Sequence, residues 1–130
     1  MNNLPGGVDL LSIARETLLS ELEPLTSGEA RYVLLMVANA MAIAAREAQA
    51  GDAPAKSAVA RLEKLYAETP SGAALESQLA EYERRLAQDI RAGVFDAHDE
   101  KQRTLLEHLR GSVVERLRIS NPKSLKSQNP

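Results

Sequence analysis

The residues best placed to do chemistry in this chain of 130 residues lie on one segment. Tyr32, Asn39 and Arg46 recur every seven residues. In a helix that spacing is close to two turns, so the three fall near one line on the surface. Arg31 and Glu47 flank the line. The intervening run, Val33 to Ala45, has one polar member, Asn39. A buried amide without a partner costs about 1–3 kcal/mol, so such a line demands hydrogen-bond partners. Two arrangements supply them. One is an interhelical network that fixes how packed helices meet. The other is a small polar pocket in which Arg46 or Arg31 holds a carboxylate or phosphate. Arg31, Tyr32, Asn39, Arg46 and Glu47 are therefore the candidate ligand-binding residues.

Other chemistry is hard to find. There is no Cys, which excludes disulfide scaffolds, thiolate zinc sites and Cys nucleophiles. No Glu-x-x-His pair is present, so the di-iron bundle site fails on ligand type. The two histidines, His98 and His108, fall at a helix start and on a helix flank. His108 could serve a metal or act as a base, but a partly exposed structural histidine is the plainer reading. No Ser has a base nominated beside it, and no Gly-rich phosphate loop follows a strand. The residues thus nominate no catalytic set, no metal ligands and no cofactor. Asp89 and Arg91 could join a polar network, whereas Glu81, Glu83, Arg84 and Arg85 read as a solvated helix face.

The elements that must position these residues are helices. Leu and Ala supply 19 and 20 residues, against 15 Ile, Val and Thr together. Strong helix formers in that excess nearly exclude a β domain. Leu11, Ala14, Leu18, Leu22 and Leu25 recur at helical spacing, with Asp9 as a plausible cap and Pro24 as the stop. Ser27 and Gly51 bracket a second helix. Its middle is apolar on every side, and a helix apolar all round is buried all round. Asp52 and Pro54 open a third helix with Val59, Leu62, Leu65 and Tyr66 facing inward. A fourth carries Leu75, Leu79, Tyr82, Leu86 and Ile90 and ends at Gly93. Phe95 then plugs the end of the bundle. A fifth runs from between Asp96 and Asp99 to about Ile119, with Leu105 or Leu106, Leu109, Val113 and Leu117 on its core face. Gly111 inside it costs about 1 kcal/mol relative to Ala, which points to a close contact or a bend. The reading is an all-α antiparallel bundle of four to five helices around a buried central helix, about 27–50. Residues 1–122 would form one domain, and 123–130 a polar, disordered tail.

Sixteen basic residues against eighteen acidic ones give a net charge of −2. Nucleic-acid binding draws on a basic surface that releases counterions, so no nucleic-acid partner is expected. Five basic residues between Arg110 and Pro130, against Glu115 alone, suit a helix C-terminus and its tail. The start, Met1 to Gly7, has no basic or apolar signal pattern. The apolar run of 13 residues is too short to span a bilayer. A cytoplasmic protein without a membrane partner is the expectation.

Several stretches carry a family resemblance. They are Asp9-Leu10-Leu11 with Ala14-Arg15-Glu16, Arg31-Tyr32, Met36-Val37-Ala38-Asn39-Ala40, Ala44-Ala45-Arg46-Glu47, Ile90-Arg91-Ala92-Gly93 and Leu117-Arg118-Ile119-Ser120-Asn121-Pro122. The chain resembles a group of small, uncharacterised bacterial all-helical domains, often encoded beside aminoglycoside-phosphotransferase-like kinases and acyl-CoA dehydrogenases. It departs from that pattern at Ser120, Lys123 and Ser124, around the Asn-Pro pair. The resemblance implies a genomic neighbourhood and no catalytic residues. Three functions follow for comparison. The first is a non-catalytic accessory protein bound to a kinase-like or acyl-CoA dehydrogenase partner, or to a second copy as a homodimer. The second is a module binding an acyl or phosphorylated ligand near Asn39 and Arg46. The third is an enzyme, which would need ionisable groups converging in that pocket.

Overall fold

The computed structural model describes residues 6–126. Among them every regular element is helical: α1 Gly7–Thr17, α2 Gly28–Ala50, α3 Ala53–Tyr66, α4 Leu75–Arg91, α5 Glu100–Ser120 and α6 Lys123–Lys126. The all-α class is therefore as the composition requires. The chain forms two compact units, Met1–Gly51 and Asp52–Pro130, where the sequence reading has one bundle through residue 122. Each unit is described by itself.

In the first unit α1 packs along α2. Gly6, and not Asp9, occupies the cap position of α1. Pro24 does not stop the chain from coiling. After α1 the helix widens into a π turn, Leu18–Leu22, then tightens into a 3₁₀ turn, Glu23–Leu25, that contains Pro24. Thr26 N–H donates to the Glu23 carbonyl at 3.0 Å and closes that turn. Leu22 and Leu25 stay exposed as a result, although helical spacing put them on the inner face.

The bounds of α2 are those marked by Ser27 and Gly51. Gly51 adopts a positive φ of 57°, and its N–H donates to the Glu47 carbonyl. Its burial differs from expectation. Ala38 is the buried residue of α2, while Tyr32 is 64% and Met36 55% exposed. The first unit covers α2 with α1 and the two turns alone, so one face is closed and the rest is open. Within its own unit, then, α2 is not the enclosed central helix that its apolar run suggests. By length and composition α2 is also the one described helix that could cross a membrane. The 13-residue run is short, but the helix that carries it has 23 residues.

In the second unit α4 and α5 both pack on α3. Leu62, Leu86, Phe95 and Leu105 form the core, with Leu65, Tyr66, Leu79 and Tyr82 packed against it. Phe95 sits in the loop after α4 and closes the end of this core, as its place in the sequence suggests. Helix α3 stops before Thr69-Pro70. Ala67 takes the left-handed conformation at φ 52°, and Glu68 N–H reaches back to the Glu63 carbonyl at 2.9 Å. That is the reverse-turn cap usually built on Gly. Asp99 caps α5, its side chain accepting from Gln102 N–H at 3.1 Å. The tail is not unstructured at its start, because Lys123–Lys126 forms a helical turn after Asn121-Pro122. Residues 127–130 of the expected tail, and Pro5 of the opening turn, lie outside the described residues.

Candidate functional site

The line nominated on α2 does not come together as one site. Arg31 pairs with Glu23 through Nε and Oε1 at 2.6 Å, a contact to the 3₁₀ turn at the surface. Tyr32, Asn39 and Glu47 are exposed. Asn39 thus faces water and needs no buried partner, which removes the premise of a buried polar seam. Arg46 is half-buried and lines a cleft of about 290 Å³ between α1 and α2 with Arg15, Glu16 and Gln49. That cleft contains neither Tyr32 nor Asn39.

One polar contact that joins α1 to α2 comes from Arg15. Its Nε donates to the Ala38 carbonyl at 3.1 Å. Ala38 has a side chain small enough to let a guanidinium reach helical backbone. A helix carbonyl leaves no mark in a sequence, so this contact could not be read from residue types.

The densest polar cluster lies in the second unit, across α3 and α5. Arg61 of α3 meets α5 at three side chains. Its Nε donates to His108 Nδ1 at 3.2 Å, Nη1 to Glu115 Oε1 at 2.9 Å, and Nη2 to Ser112 Oγ at 3.4 Å and Glu115 Oε2 at 3.3 Å. Gly111 makes the approach possible. A Cβ at that position would stand 3.0 Å from Arg61 Cζ. The close contact expected at Gly111 is thus a guanidinium lying over a bare helix turn.

His108 is 5% exposed, a buried residue and not the partly exposed one the sequence reading describes. Burial first, and the neighbouring Arg61 charge second, push its pKa below the ordinary 6.5, with Glu115 opposing. The ring is therefore neutral, and accepting at Nδ1 places its proton on Nε2. The signal for this cluster was present as a second stripe on α5: Leu105, His108, Ser112 and Glu115 at steps of three or four, with Gly111 beside it. The apolar stripe through Leu109 and Val113 masked it, and those two residues are exposed.

The depressed pKa sets a pH dependence. As pH falls below about 6.5 the unfolded chain protonates at this histidine before the folded one does. Protons then favour unfolding. The stability linked to His108 is complete above that pH and declines as pH drops through the lower folded pKa. Urea midpoints should fall between pH 7.5 and 5.5, and the fall should shrink in His108→Gln. A slope unchanged in that variant would assign the effect to other groups.

A third cluster joins α3 to α4. Tyr66 OH donates to Asp89 Oδ2 at 2.7 Å, and Tyr82 OH to Glu68 Oε2 at 3.1 Å. The two rings stack with centroids 5.9 Å apart. The Arg85 guanidinium carbon lies 3.8 Å above the Tyr66 ring centre, and Arg85 also pairs with Glu68. Burial and the Asp89 carboxylate hold the Tyr66 phenol well above its usual range. Arg85 is exposed, as a solvated face requires, yet it and Asp89 are both engaged by Tyr66 of α3. They bind α4 to α3. Arg84 and Glu81 do pair on the exposed side of α4.

Taken together, this is a small all-helical domain whose polar clusters are occupied chiefly with joining helices. The chain belongs to the DUF6285 family, a domain of unknown function, whose model matches residues 24–124. The match begins after α1, takes in α2 and runs through α5. No curated protein and no solved structure matches the chain.

Proposed function

We propose that this chain is a non-catalytic accessory protein that docks on a partner protein through the open face of α2. The observation that carries this reading is the exposure of large apolar side chains there. Tyr32, Val33, Met36 and Val37 all stand exposed. Met36 lies roughly 160° round the helix from buried Ala38, on the side turned away from α1. Apolar surface in a contiguous patch marks an interaction site more often than a solvated face. The family resemblance supplies the partner class, an aminoglycoside-phosphotransferase-like kinase or an acyl-CoA dehydrogenase, and with it a cytoplasmic setting. The clusters at Arg61 and Arg85 support a non-catalytic reading, since their charges are already paired with the fold.

The test is co-expression of the full chain with each partner, followed by size-exclusion chromatography with light scattering. The expected result is one stable complex, lost in Met36→Glu while the helical circular dichroism is retained. A chain that elutes alone beside both partners overturns the reading. A mass of twice the chain, lost in the same variant, replaces the partner protein with a second copy.

A further inference from the structure

We infer that the groove between α4 and α5 binds an aliphatic carboxylate, tail along its apolar walls and head group on a row of donors along α5. This site is separate from the face of α2. The groove has a volume of about 330 Å³ and is formed entirely within the second unit. Its walls include Leu86, Ile90, Leu109 and Val113. Ile90, Leu109 and Val113 are exposed, 43%, 39% and 56% respectively. Such walls suit an unbranched hydrocarbon chain.

The donors are set by the Arg61 cluster. Arg61 donates one hydrogen bond to His108 Nδ1 and one to Ser112 Oγ. Each acceptor is thereby filled from the α3 side. The His108 ring must carry its own proton on Nε2, the opposite edge of the ring, and His108 lines the groove. No buried side-chain nitrogen or oxygen among the described residues lacks a hydrogen bond. Among the described residues Nε2 has no hydrogen-bond partner, so it is not sealed in a closed interior, and the groove is the opening that His108 lines. Ser112 Oγ keeps its proton to give, and Ser112 lines the same groove.

Arg116 completes the row. His108, Ser112 and Arg116 are spaced by four, one above another on a helix face. Among the described residues the Arg116 guanidinium has no ion-pair partner, and it borders the groove. Two neutral donors and one cation beside apolar walls match a group that is anionic, accepts several hydrogen bonds and trails hydrocarbon. Glu83 on the facing wall is the one acidic residue of the lining. It makes the competing ligand an aliphatic amine, and the experiment separates the two.

The probes are decanoate, decanol and decylamine, each below its micelle concentration. They are titrated into the full chain and followed by amide chemical shifts. Decanoate is expected to shift amides of α4 and α5 saturably and to bind at least tenfold more tightly than decanol. Arg116→Gln, at an exposed position, should weaken decanoate at least tenfold and leave decanol unchanged. Ser112→Ala should weaken decanoate by a smaller factor. Decylamine binding more tightly than decanoate overturns the inference. So does decanoate affinity that is unaffected in both variants, or the absence of any saturable shift in these helices.

Discussion

Leu62→Ala is expected to lower the stability of the second unit by about 3 kcal/mol. Leu62 is 0% exposed and lies at the centre of the core with Leu86, Phe95 and Leu105. The three groups come from α4, the loop after it and α5. Removing the side chain takes a contact from all of them at once, and the helices cannot all move inward to fill the space. The loss combines the transfer energy of the missing carbons with the cavity left behind. Hydrogen exchange of α3 amides reads the effect locally, and urea unfolding followed through Tyr66 and Tyr82 reads it as a shifted midpoint. Leu106→Ala is the control. Leu106 is 52% exposed on the same helix as Leu105, and its truncation should change stability by less than about 0.5 kcal/mol. Equal effects at the two positions would show that Leu62 is not the centre of the core.

Arg61→Met is expected to cost about 2 kcal/mol. Removing one partner of a buried pair can cost more, but the Arg61 and Glu115 side chains are 24% and 20% exposed, so water recovers part of the loss. Met keeps the length of the stem and its packing. What disappears is the guanidinium, leaving Glu115 without its cation and His108 Nδ1 and Ser112 Oγ without their donor. A second change, Glu115→Leu, should restore stability in the Arg61→Met background while destabilising the wild-type chain. This change of sign is the mark of a coupled pair. Additive losses in the double variant would mean that Arg61 acts through packing of its stem alone. The same variant bears on the groove, because His108 and Ser112 would no longer be held with their protons turned away from α3.

Much of this architecture is written locally in the chain. Ser27 and Gly51 mark the ends of α2, Asp99 the start of α5, and Phe95 the closure of the core. Gly51 and Asp99 work through nearby backbone, so they can be read without knowing the neighbours, while Ser27 and Phe95 are read from residue type and place in the chain. Burial is another matter. The apolar run on α2 says that this helix has more apolar surface than one neighbour can cover. It does not say which sides are covered, and in the first unit α1 takes the side of Ala38 and leaves Met36 open. On α5 the apolar spacing pointed to Leu109 and Val113, yet the face turned to α3 is that of Leu105, His108 and Glu115. A polar covered face gives no apolar period. It is legible only through its partner, and Arg61 lies 47 residues away from His108 along the chain. The five residues nominated on α2 share a spacing but not a site, because Asn39 and Tyr32 turn to water and Arg31 is engaged by Glu23.

Gly111 has a consequence for how α5 finds its place. The positions one turn away from it, Glu107, His108, Val114 and Glu115, all carry side chains. Were α5 to slide by a turn along α3, the guanidinium of Arg61 would meet a Cβ where it now meets open backbone, and its four hydrogen bonds would lose their acceptors together. The glycine is thus a notch and Arg61 the tooth that engages it. Apolar helices rich in Leu and Ala can slip past one another at little cost. This pair gives α3 and α5 a single register.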